Sequence, residues 1–169
     1  MSDVKRVPLA VARAAADDLR DLLSVGCERI EVAGSIRRGR EAVKDIEIVA
    51  APRIEQTPGL DLWGGTEPVD RLEERLGVLF ADRSIEVRWV DLHHADGSVT
   101  QQVRDGKAYK ALWFRGIPVD LFVVRPPADW GVIFAIRTGP GDWNRRIVTD
   151  CQRFFRRVEG GRVLHLGRH

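Results

Sequence analysis

The chain has 169 residues, of which 44% are hydrophobic and 31% are charged, and its formal net charge is only +2. This size and composition predict one good core, or a domain with a small appendage, and the total charge does not indicate a strongly basic nucleic-acid binder. Two distant cysteines exclude a disulfide framework and a cysteine metal cluster. No apolar run is long enough to span a bilayer, so we expect a cytoplasmic protein without a membrane partner.

The first predicted element is a helix over residues 8–25, where alanine and leucine recur at helical spacing. Pro8 suits the first turn of this helix and Gly26 suits its C-terminal cap. We expect the helix to pack under the sheet. A short apolar strand over residues 30–33 follows, and it leads into a turn of small and basic residues, Gly34-Ser35-Ile36-Arg37-Arg38-Gly39.

This turn carries the groups that bind phosphate in proteins. Gly34 allows the backbone to approach a phosphate closely, and the Ser35 hydroxyl and nearby amides can donate hydrogen bonds to its oxygens. Arg37 and Arg38 add planar guanidinium groups that pair with the same oxygens. Each feature alone is common in ordinary turns and solvated surfaces, so the prediction depends on its combination with the acids that follow.

The acids lie on two predicted strands. Residues 45–50 alternate and are rich in β-branched side chains, so Asp45 and Glu47 share one face while the isoleucines after them face the core. Residues 117–124 predict a second strand, in which Asp120 interrupts an otherwise apolar run. If the two strands are neighbours, three carboxylates converge.

Three converging carboxylates favour a divalent metal ion. Unpaired anions at close range raise one another's pKa, and Mg²⁺, which prefers oxygen ligands and substrate phosphates, removes that repulsion. We therefore expect two magnesium ions, with manganese as the alternative, at Asp45, Glu47 and Asp120. Two such ions can stabilise both the attacking and the leaving oxygen of an in-line displacement.

Between these strands the sequence predicts one loop, one amphipathic helix and three strands joined by hairpin turns. They span, in this order, residues 52–68, 69–80, 84–92, 98–104 and 108–114. Trp63 in the loop is expected to cover the core. His93 and His94 lie beside a turn, where solvent-exposed histidines are far more common than metal ligands.

The C-terminal part of the chain predicts two helices and a basic hairpin. Asp129 is expected to cap a helix over residues 130–136, and a second helix is expected over residues 143–155. A hairpin follows, with strands over residues 154–158 and 162–166. From position 137 onward there are eight arginines, no lysine and three acids, which leaves a local charge of +5. This indicates an anionic partner, with scattered solvated arginines as the alternative.

These motifs together resemble a known signature. The Gly34-Ser35 turn, the arginine pair, the Asp45-x-Glu47 pattern and the later Asp120 are similar to those of the polymerase beta-type nucleotidyltransferase superfamily, most closely the palm of family X DNA polymerases. Residues 137–146 resemble the region between palm and thumb in that family. The resemblance implies an α+β palm over residues 1–138, with a mixed β-sheet and helices packed on one side. It also implies a small, truncated, basic thumb-like lobe over residues 139–169.

The resemblance implies roles for individual residues. Asp45, Glu47 and Asp120 would be the catalytic, metal-binding acids, and Asp120 would help to activate an attacking 3′-hydroxyl. Ser35 and Arg38 would contact the β- and γ-phosphates, and Asn144 would lie near the base and sugar. The full set of implied nucleotide-binding residues is Gly34, Ser35, Arg37, Arg38, Thr138, Gly139 and Asn144.

The sequence also departs from the family pattern. Glu47 is longer than the usual aspartate, Ile136 and Arg137 stand where many relatives have Tyr-Phe beside the sugar, and Val148 replaces an arginine that steadies the template base. These departures leave sugar preference and template dependence open. No lyase domain and no helix-hairpin-helix pattern is expected.

The expected function is transfer of a nucleotide from a (d)NTP to a DNA 3′-hydroxyl with release of pyrophosphate, by a monomer that contacts DNA through its basic lobe. Two alternatives stay open. The same site would serve transfer to a small-molecule, RNA or protein hydroxyl, or the palm would be a catalytically silent module that binds nucleotide or DNA.

Overall fold

The structure is a computed structural model that describes residues 6–58, 65–153 and 156–165. Across these ranges the helices are α1 (Leu9–Ser24), α2 (Gly34–Arg37), α3 (Arg71–Ala81), α4 (Trp130–Thr138) and α5 (Gly141–Arg153). The strands are β1 (Val7–Pro8), β2 (Cys27–Val32), β3 (Ala42–Val43), β4 (Ile46–Pro52), β5 (Ile54–Pro58), β6 (Thr66–Asp70), β7 (Glu86–Val87), β8 (Trp89–His93), β9 (Val99–Val103), β10 (Tyr109–Phe114), β11 (Ile117–Val123), β12 (Arg156–Glu159) and β13 (Arg162–His165).

One mixed sheet forms the centre of the fold. Its strand order is β2-β4-β11-β10-β7, and the central pair β4–β11 is parallel while every other pair is antiparallel. Parallel strands are normally covered on both faces, and these two strands are the most apolar in the sheet. The mixed sheet expected from the sequence is confirmed. The remaining strands form two-stranded ribbons, β1–β3, β5–β6, β8–β9 and β12–β13.

The main core lies on the sheet face covered by α1 and α3. Side chains alternate along β4 and β11, so Ile46 and Ile48 join Val119 and Leu121 on this face, and all four are fully buried. The helices contribute a stripe of alanines and leucines at helical spacing. These are Ala12, Ala16, Leu19 and Leu23 of α1 and Leu72, Leu76 and Leu79 of α3. Truncation of one such leucine to alanine costs about 2–5 kcal/mol, so this cluster accounts for much of the stability.

A second, smaller core lies on the opposite face of the sheet. Val49 and Phe122 of the central strands pack there against Trp130, Ile133 and Phe134 of α4. The expectation of helices on one side only is therefore wrong. The physical reason is that β4 and β11 carry apolar side chains on both faces near their carboxyl ends, and α4 covers the second face.

Most predicted elements are present, with several corrections. Residues 54–58 and 66–68, expected as part of a loop, and residues 69–70, expected at the start of a helix, form the ribbon β5–β6. Asp129 precedes α4 but makes no side-chain cap hydrogen bond, whereas Asp70 caps α3 by accepting from the amides of Leu72 (3.0 Å) and Glu73 (3.1 Å). Trp63 and the ends of the C-terminal hairpin at residues 154, 155 and 166 lie outside the described residues.

No helix in the described part of the chain is long and apolar enough to cross a membrane.

Candidate active site

The central parallel pair brings the predicted acids to one place. Glu47 of β4 is the register partner of Asp120 of β11, and Asp45 immediately precedes β4 on the same face as Glu47. This is also the face that α4 covers further along the strands, at Val49 and Phe122. The three acids lie before the covered end and are each half-buried. Their placement follows from strand alternation and from the β4–β11 register.

The acids influence one another electrostatically. Burial, followed by the charges of Asp45 and Asp120, raises the pKa of Glu47 from its ordinary 4.5 to about 7. Burial and the nearby charge of Asp120 also raise the pKa of Asp45. Arg38 acts in the opposite direction on both carboxyl groups. The site therefore concentrates negative charge that favours a proton or another cation.

Gly34 allows Glu47 to occupy its position. Its φ is +59°, in the left-handed region that favours glycine. A Cβ at this position would lie only 1.6 Å from Oε2 of Glu47, so the carboxylate packs directly against the glycine backbone. The adjacent Ala33 amide donates to the Glu47 carbonyl at 2.8 Å. The small-residue turn thus contributes directly to the placement of an acid.

Asp120 has two partners that were not singled out in the sequence. Its Oδ1 accepts a hydrogen bond from the Tyr109 hydroxyl at 2.8 Å and forms an ion pair with the Arg88 guanidinium. Burial and the bond to Asp120 raise the pKa of Tyr109 to about 12, so the phenol stays a donor. In the β10–β11 hairpin, whose turn lies at residues 115–116, Tyr109 pairs with Phe122, which is two residues after Asp120. The register counted from this turn was therefore the signal in the sequence that could have placed Tyr109 near Asp120. No comparable local signal pointed to Arg88.

A basic cleft opens beside Asp45 and Glu47. It has a volume of about 410 Å³ and contains the predicted phosphate-binding residues Ser35 and Arg38. Three further cations line the cleft and were not predicted, namely Arg6, Arg40 and Lys44. The cleft therefore joins acids to a surplus of cationic side chains, an arrangement suited to a polyanion accompanied by a metal ion.

The two arginines of the predicted pair have different positions. Arg38 lines the cleft, and its Nη1 donates to the Thr138 carbonyl at 2.7 Å, which joins α2 to the end of α4. Arg37 instead places its guanidinium 4.8 Å from the centroid of the Phe134 ring. Because α2 is one short turn, adjacent side chains leave it in different directions, and Arg37 does not line the cleft.

The other predicted nucleotide-binding residues form the turn between α4 and α5. Asn144 Nδ2 donates to the carbonyls of Ile136 and Gly139. A Cβ on Gly139 would lie 2.3 Å from the Trp143 ring, so the turn is tightly closed. The carbonyls of Thr138 and Gly139 accept hydrogen bonds from Arg38, which lines the cleft, but Thr138, Gly139 and Asn144 do not line it themselves. The buried Thr138 Oγ1 and Asn144 Oδ1 lack hydrogen-bond partners within the described ranges.

The three acids supply the oxygen donors that a divalent metal ion prefers, but they do not form a preformed metal site. In the part of the chain that the structure describes, no group of three or more His, Cys, Asp or Glu side chains is placed to hold a metal ion. Arg88 and Tyr109 bind Asp120 instead. Carboxyl groups that raise one another's pKa suit Mg²⁺, because the ion offsets their negative charge. Asp120 would join Asp45 and Glu47 as a metal ligand only if the ion replaced Arg88 as its partner.

No protein-family model and no curated protein matches the chain. Among solved structures, the chain is similar to polymerase beta of Leishmania infantum in a ternary P/T complex, with a TM-score of 0.59 and 14% identity over 97% of this chain. The chain spans 59% of the length of that polymerase. At this identity the similarity shows the fold, so the chain has a polymerase beta-like fold.

Proposed function

We propose, from the polymerase beta-like fold, that the chain is a metal-dependent nucleotidyltransferase. It would transfer a nucleotide from a (d)NTP to a DNA 3′-hydroxyl and release pyrophosphate. The observation that carries the proposal is the register pairing of Asp120 with Glu47, next to a basic cleft that also contains Asp45 and Ser35. Acids on one face and phosphate-binding groups beside them are the two parts that phosphoryl transfer requires.

The basic cleft would bind the triphosphate. Arg6, Arg38, Arg40 and Lys44 supply positive charge, and the Ser35 hydroxyl supplies a neutral donor. Arg38 is held by the α4 carbonyl in this structure and is exposed, so it is available to a phosphate oxygen. In this assignment Arg37 supports α4 through Phe134, and the turn at residues 138–144 borders the nucleotide through Arg38.

Asp45, Glu47 and Asp120 would hold the two magnesium ions, whose chemistry is to offset the charge of the triphosphate and stabilise the attacking and leaving oxygens. Asp45 and Glu47 already share the cleft with the phosphate-binding residues. Asp120 would become available as a ligand when Arg88 leaves it.

The acceptor side of the reaction would depend on Asp120. A new bond forms between the acceptor oxygen and the α-phosphorus, the bond from this phosphorus to the bridging oxygen breaks, and pyrophosphate leaves toward the cationic cleft. The hydroxyl proton passes to the Asp120 carboxylate, which the Tyr109 hydroxyl orients at 2.8 Å. Electrostatic stabilisation and positioning account for most of the rate in reactions of this type.

We assign residues 1–138 to the palm and residues 139–169 to a small basic lobe that contacts DNA. Support comes from α5, where Arg145 and Arg146 are both exposed. The hairpin β12–β13 packs beside α4, since the Gly161 carbonyl accepts from the Asp129 amide at 2.9 Å. The lobe would therefore present its arginines from a surface attached to the palm.

Primer extension tests this function. Purified chain would receive Mg²⁺ or Mn²⁺, dNTPs or NTPs, and single-stranded, templated or gapped DNA. We expect extension that Asp120→Asn reduces by at least about 100-fold, because the substitution removes one of three charges at the reacting centre. Asp91→Asn, in the exposed ribbon β8–β9, is the matched control and should keep wild-type activity. Equal activity of the wild type and the Asp120→Asn variant would reject the assignment.

A second candidate function is a catalytically silent nucleotide-binding module. The ion pair between Arg88 and Asp120 favours it, because it leaves no preformed three-acid metal site among the described residues. Saturable binding of Mg-nucleotide without transfer to DNA, RNA, small-molecule or protein acceptors would support the module over the enzyme.

A further inference from the structure

We propose that a second cavity holds the terminal nucleotide of the acceptor as a single unpaired nucleotide with its 5′-phosphate. This inference rests on the proposed function, because it assigns the acceptor half of the same reaction. The cavity has a volume of about 760 Å³ and lies between β10, β11, α4 and the β12–β13 turn. Its wall includes Asp120 but none of Ser35, Arg38, Asp45 or Glu47, which line the basic cleft.

The two cavities meet across the central parallel strands. Glu47 lines the first cavity, Asp120 lines the second, and these two residues are register partners. A ligand in each cavity would therefore approach the other at the acid cluster. This arrangement separates a donor nucleotide from an acceptor, which is what a transfer between two nucleotides requires.

Arg137 provides a flat surface for a base at the wall of the second cavity. Its guanidinium lies 3.8 Å from the centroid of the Phe122 ring, and Phe122 is itself only 8% exposed. Tyr109 packs on the same ring, with a centroid distance of 5.2 Å. Phe122 is thus enclosed, while Arg137 is exposed and can present its other face to a ligand. Bases stack on guanidinium planes and aromatic rings with little dependence on sequence.

Two cations in the same cavity are available for a phosphate. Arg104 and Lys107 are exposed, and neither forms an ion pair with any other described residue. Arg125 also lines the cavity, but it is already paired with Asp70 at 2.7 Å and Glu73 at 2.9 Å. The one acid in the wall, Asp120, is paired with Arg88. The unpaired charge in this cavity is therefore positive, which favours an anionic ligand over a neutral or cationic one.

The size of the cavity and the position of Asp120 in its wall limit further which ligands it can hold. Ligand sites of about 300–1,000 Å³ hold one small molecule, so this cavity of about 760 Å³ has room for one nucleotide. A stacked base at Arg137 and a phosphate at Arg104 and Lys107 would leave the sugar hydroxyl near Asp120. The chemistry fits the 3′ end of a single-stranded nucleic acid and does not require a template strand.

The test is equilibrium binding in EDTA without nucleoside triphosphate, measured by fluorescence anisotropy with the full chain. The probe is oligothymidylate labelled at its 5′ end and long enough to stay annealed at the temperature of the measurement, alone or as a blunt duplex, with oligodeoxyuridylate and oligouridylate of the same length as parallel single strands. We expect the single strand to bind at least about ten-fold more tightly than the duplex. Oligodeoxyuridylate and oligouridylate carry the same base, so whichever of these two binds more tightly identifies the sugar that the cavity prefers.

Variants locate the site within the chain. Arg104→Gln/Lys107→Gln should weaken single-strand binding about ten-fold, whereas Arg20→Gln/Arg115→Gln loses the same charge at residues paired elsewhere and should change it less than about three-fold. Arg137→Lys keeps the charge but removes the planar face and should also weaken binding. Thymidine 5′-monophosphate should displace the probe at least about ten-fold better than thymidine.

Equal binding of single strand and duplex, equal displacement by thymidine and its monophosphate, or an unaffected Arg104→Gln/Lys107→Gln variant would each overturn the inference. Binding that passes these tests in a chain without transfer activity would reject the proposed function and retain the cavity. Transfer activity without single-strand preference would reject the cavity alone.

Discussion

Gly34 connects the turn at residues 34–39 to the acid cluster. Comparing its substitution with that of Gly39 distinguishes the effect of backbone strain from the effect of displacing Glu47. Gly34 and Gly39 both have positive φ, +59° and +70°. A Cβ at Gly39 meets nothing within 4 Å, whereas one at Gly34 meets the Glu47 carboxylate. We expect Gly39→Ala to lose about 1–2 kcal/mol of unfolding free energy through backbone strain alone, and Gly34→Ala to lose more, because its Cβ would also lie 3.0 Å from the Cβ of Glu47, which a change of rotamer cannot move.

The two variants should differ in their effect on the pKa of Glu47. Only Gly34→Ala should lower the pKa of Glu47, since the displaced carboxylate gains water. Carbon-13 NMR titration of the side-chain carboxyl measures that pKa directly, and urea denaturation measures stability. An unchanged Glu47 pKa in Gly34→Ala would contradict the close packing of the two residues.

The raised pKa of Glu47 predicts a dependence of stability on pH. Glu47 binds its proton more tightly in the folded state, so its contribution is fully present below about pH 4.5 and is lost as pH rises through about 7. The groups that act on it are Asp45, Asp120, Arg38 and Arg137. Glu47→Gln lacks this titration, so its stability relative to the wild type should rise between these pH values. Urea denaturation at several pH values measures the difference, and a difference that does not vary with pH would disprove the assignment.

The predicted acids were accessible from the sequence because strand alternation is local. Asp45 and Glu47 needed only the period of two, and Asp120 needed only its position within an apolar run. Tyr109 and Arg88 depend on which strands pair, and Arg6, Arg40 and Lys44 depend on how separate segments meet. Arg38 contacts the Thr138 carbonyl and Arg37 the Phe134 ring because of the way α2 is rotated, and no pattern in the sequence predicts that rotation.

The start of α3 depends on Asp70, which also joins this helix to the segment that follows β11. Its carboxylate accepts from two helix amides and pairs with Arg125 at 2.7 Å. We expect Asp70→Ala to lower the free energy of unfolding by about 2–3 kcal/mol, because a cap and a half-buried ion pair are both removed.

Asp129→Ala is the matched control, because Asp129 precedes α4 without capping it. It should lower the free energy of unfolding by less than about 0.5 kcal/mol. Both variants are measured by urea denaturation. Equal losses for the two would show that the cap and ion pair of Asp70 contribute little.

At the level of elements, long periodic segments were predicted well. The apolar stripes of α1 and α3 identify both helices, and the turn at residues 115–116 identifies the β10–β11 hairpin. The β5–β6 ribbon was not predicted, because prolines and glycines near it are typical of a loop and its exposed strands have few apolar residues. The position of α4 on the second face also depends on tertiary packing, and the sequence indicated only that a helix would lie at residues 130–136.

Across the whole molecule, positive charge lies around the acid cluster. Arg6, Arg40 and Lys44 lie on one side of it, and Arg104, Lys107 and Arg137 lie on the other. The sequence indicated basic character mainly in the C-terminal segment, because the other cations are dispersed along the chain and come together only in the fold. The net charge of +2 therefore conceals a local field suited to anionic ligands.

Glu47 and Asp120 become neighbours only when β4 and β11 pair, and α3 and strands β5 to β10 lie between them in the chain. Bringing distant segments into a parallel pair is slow, because loop-closure entropy is lost before the contacts form. A nascent chain that has just passed residue 116 contains the sequences of α1, α3 and β4 but lacks β11 altogether. The acid cluster therefore cannot form before β11 has been synthesised, and a growing chain on the ribosome carries no site until β11 has emerged.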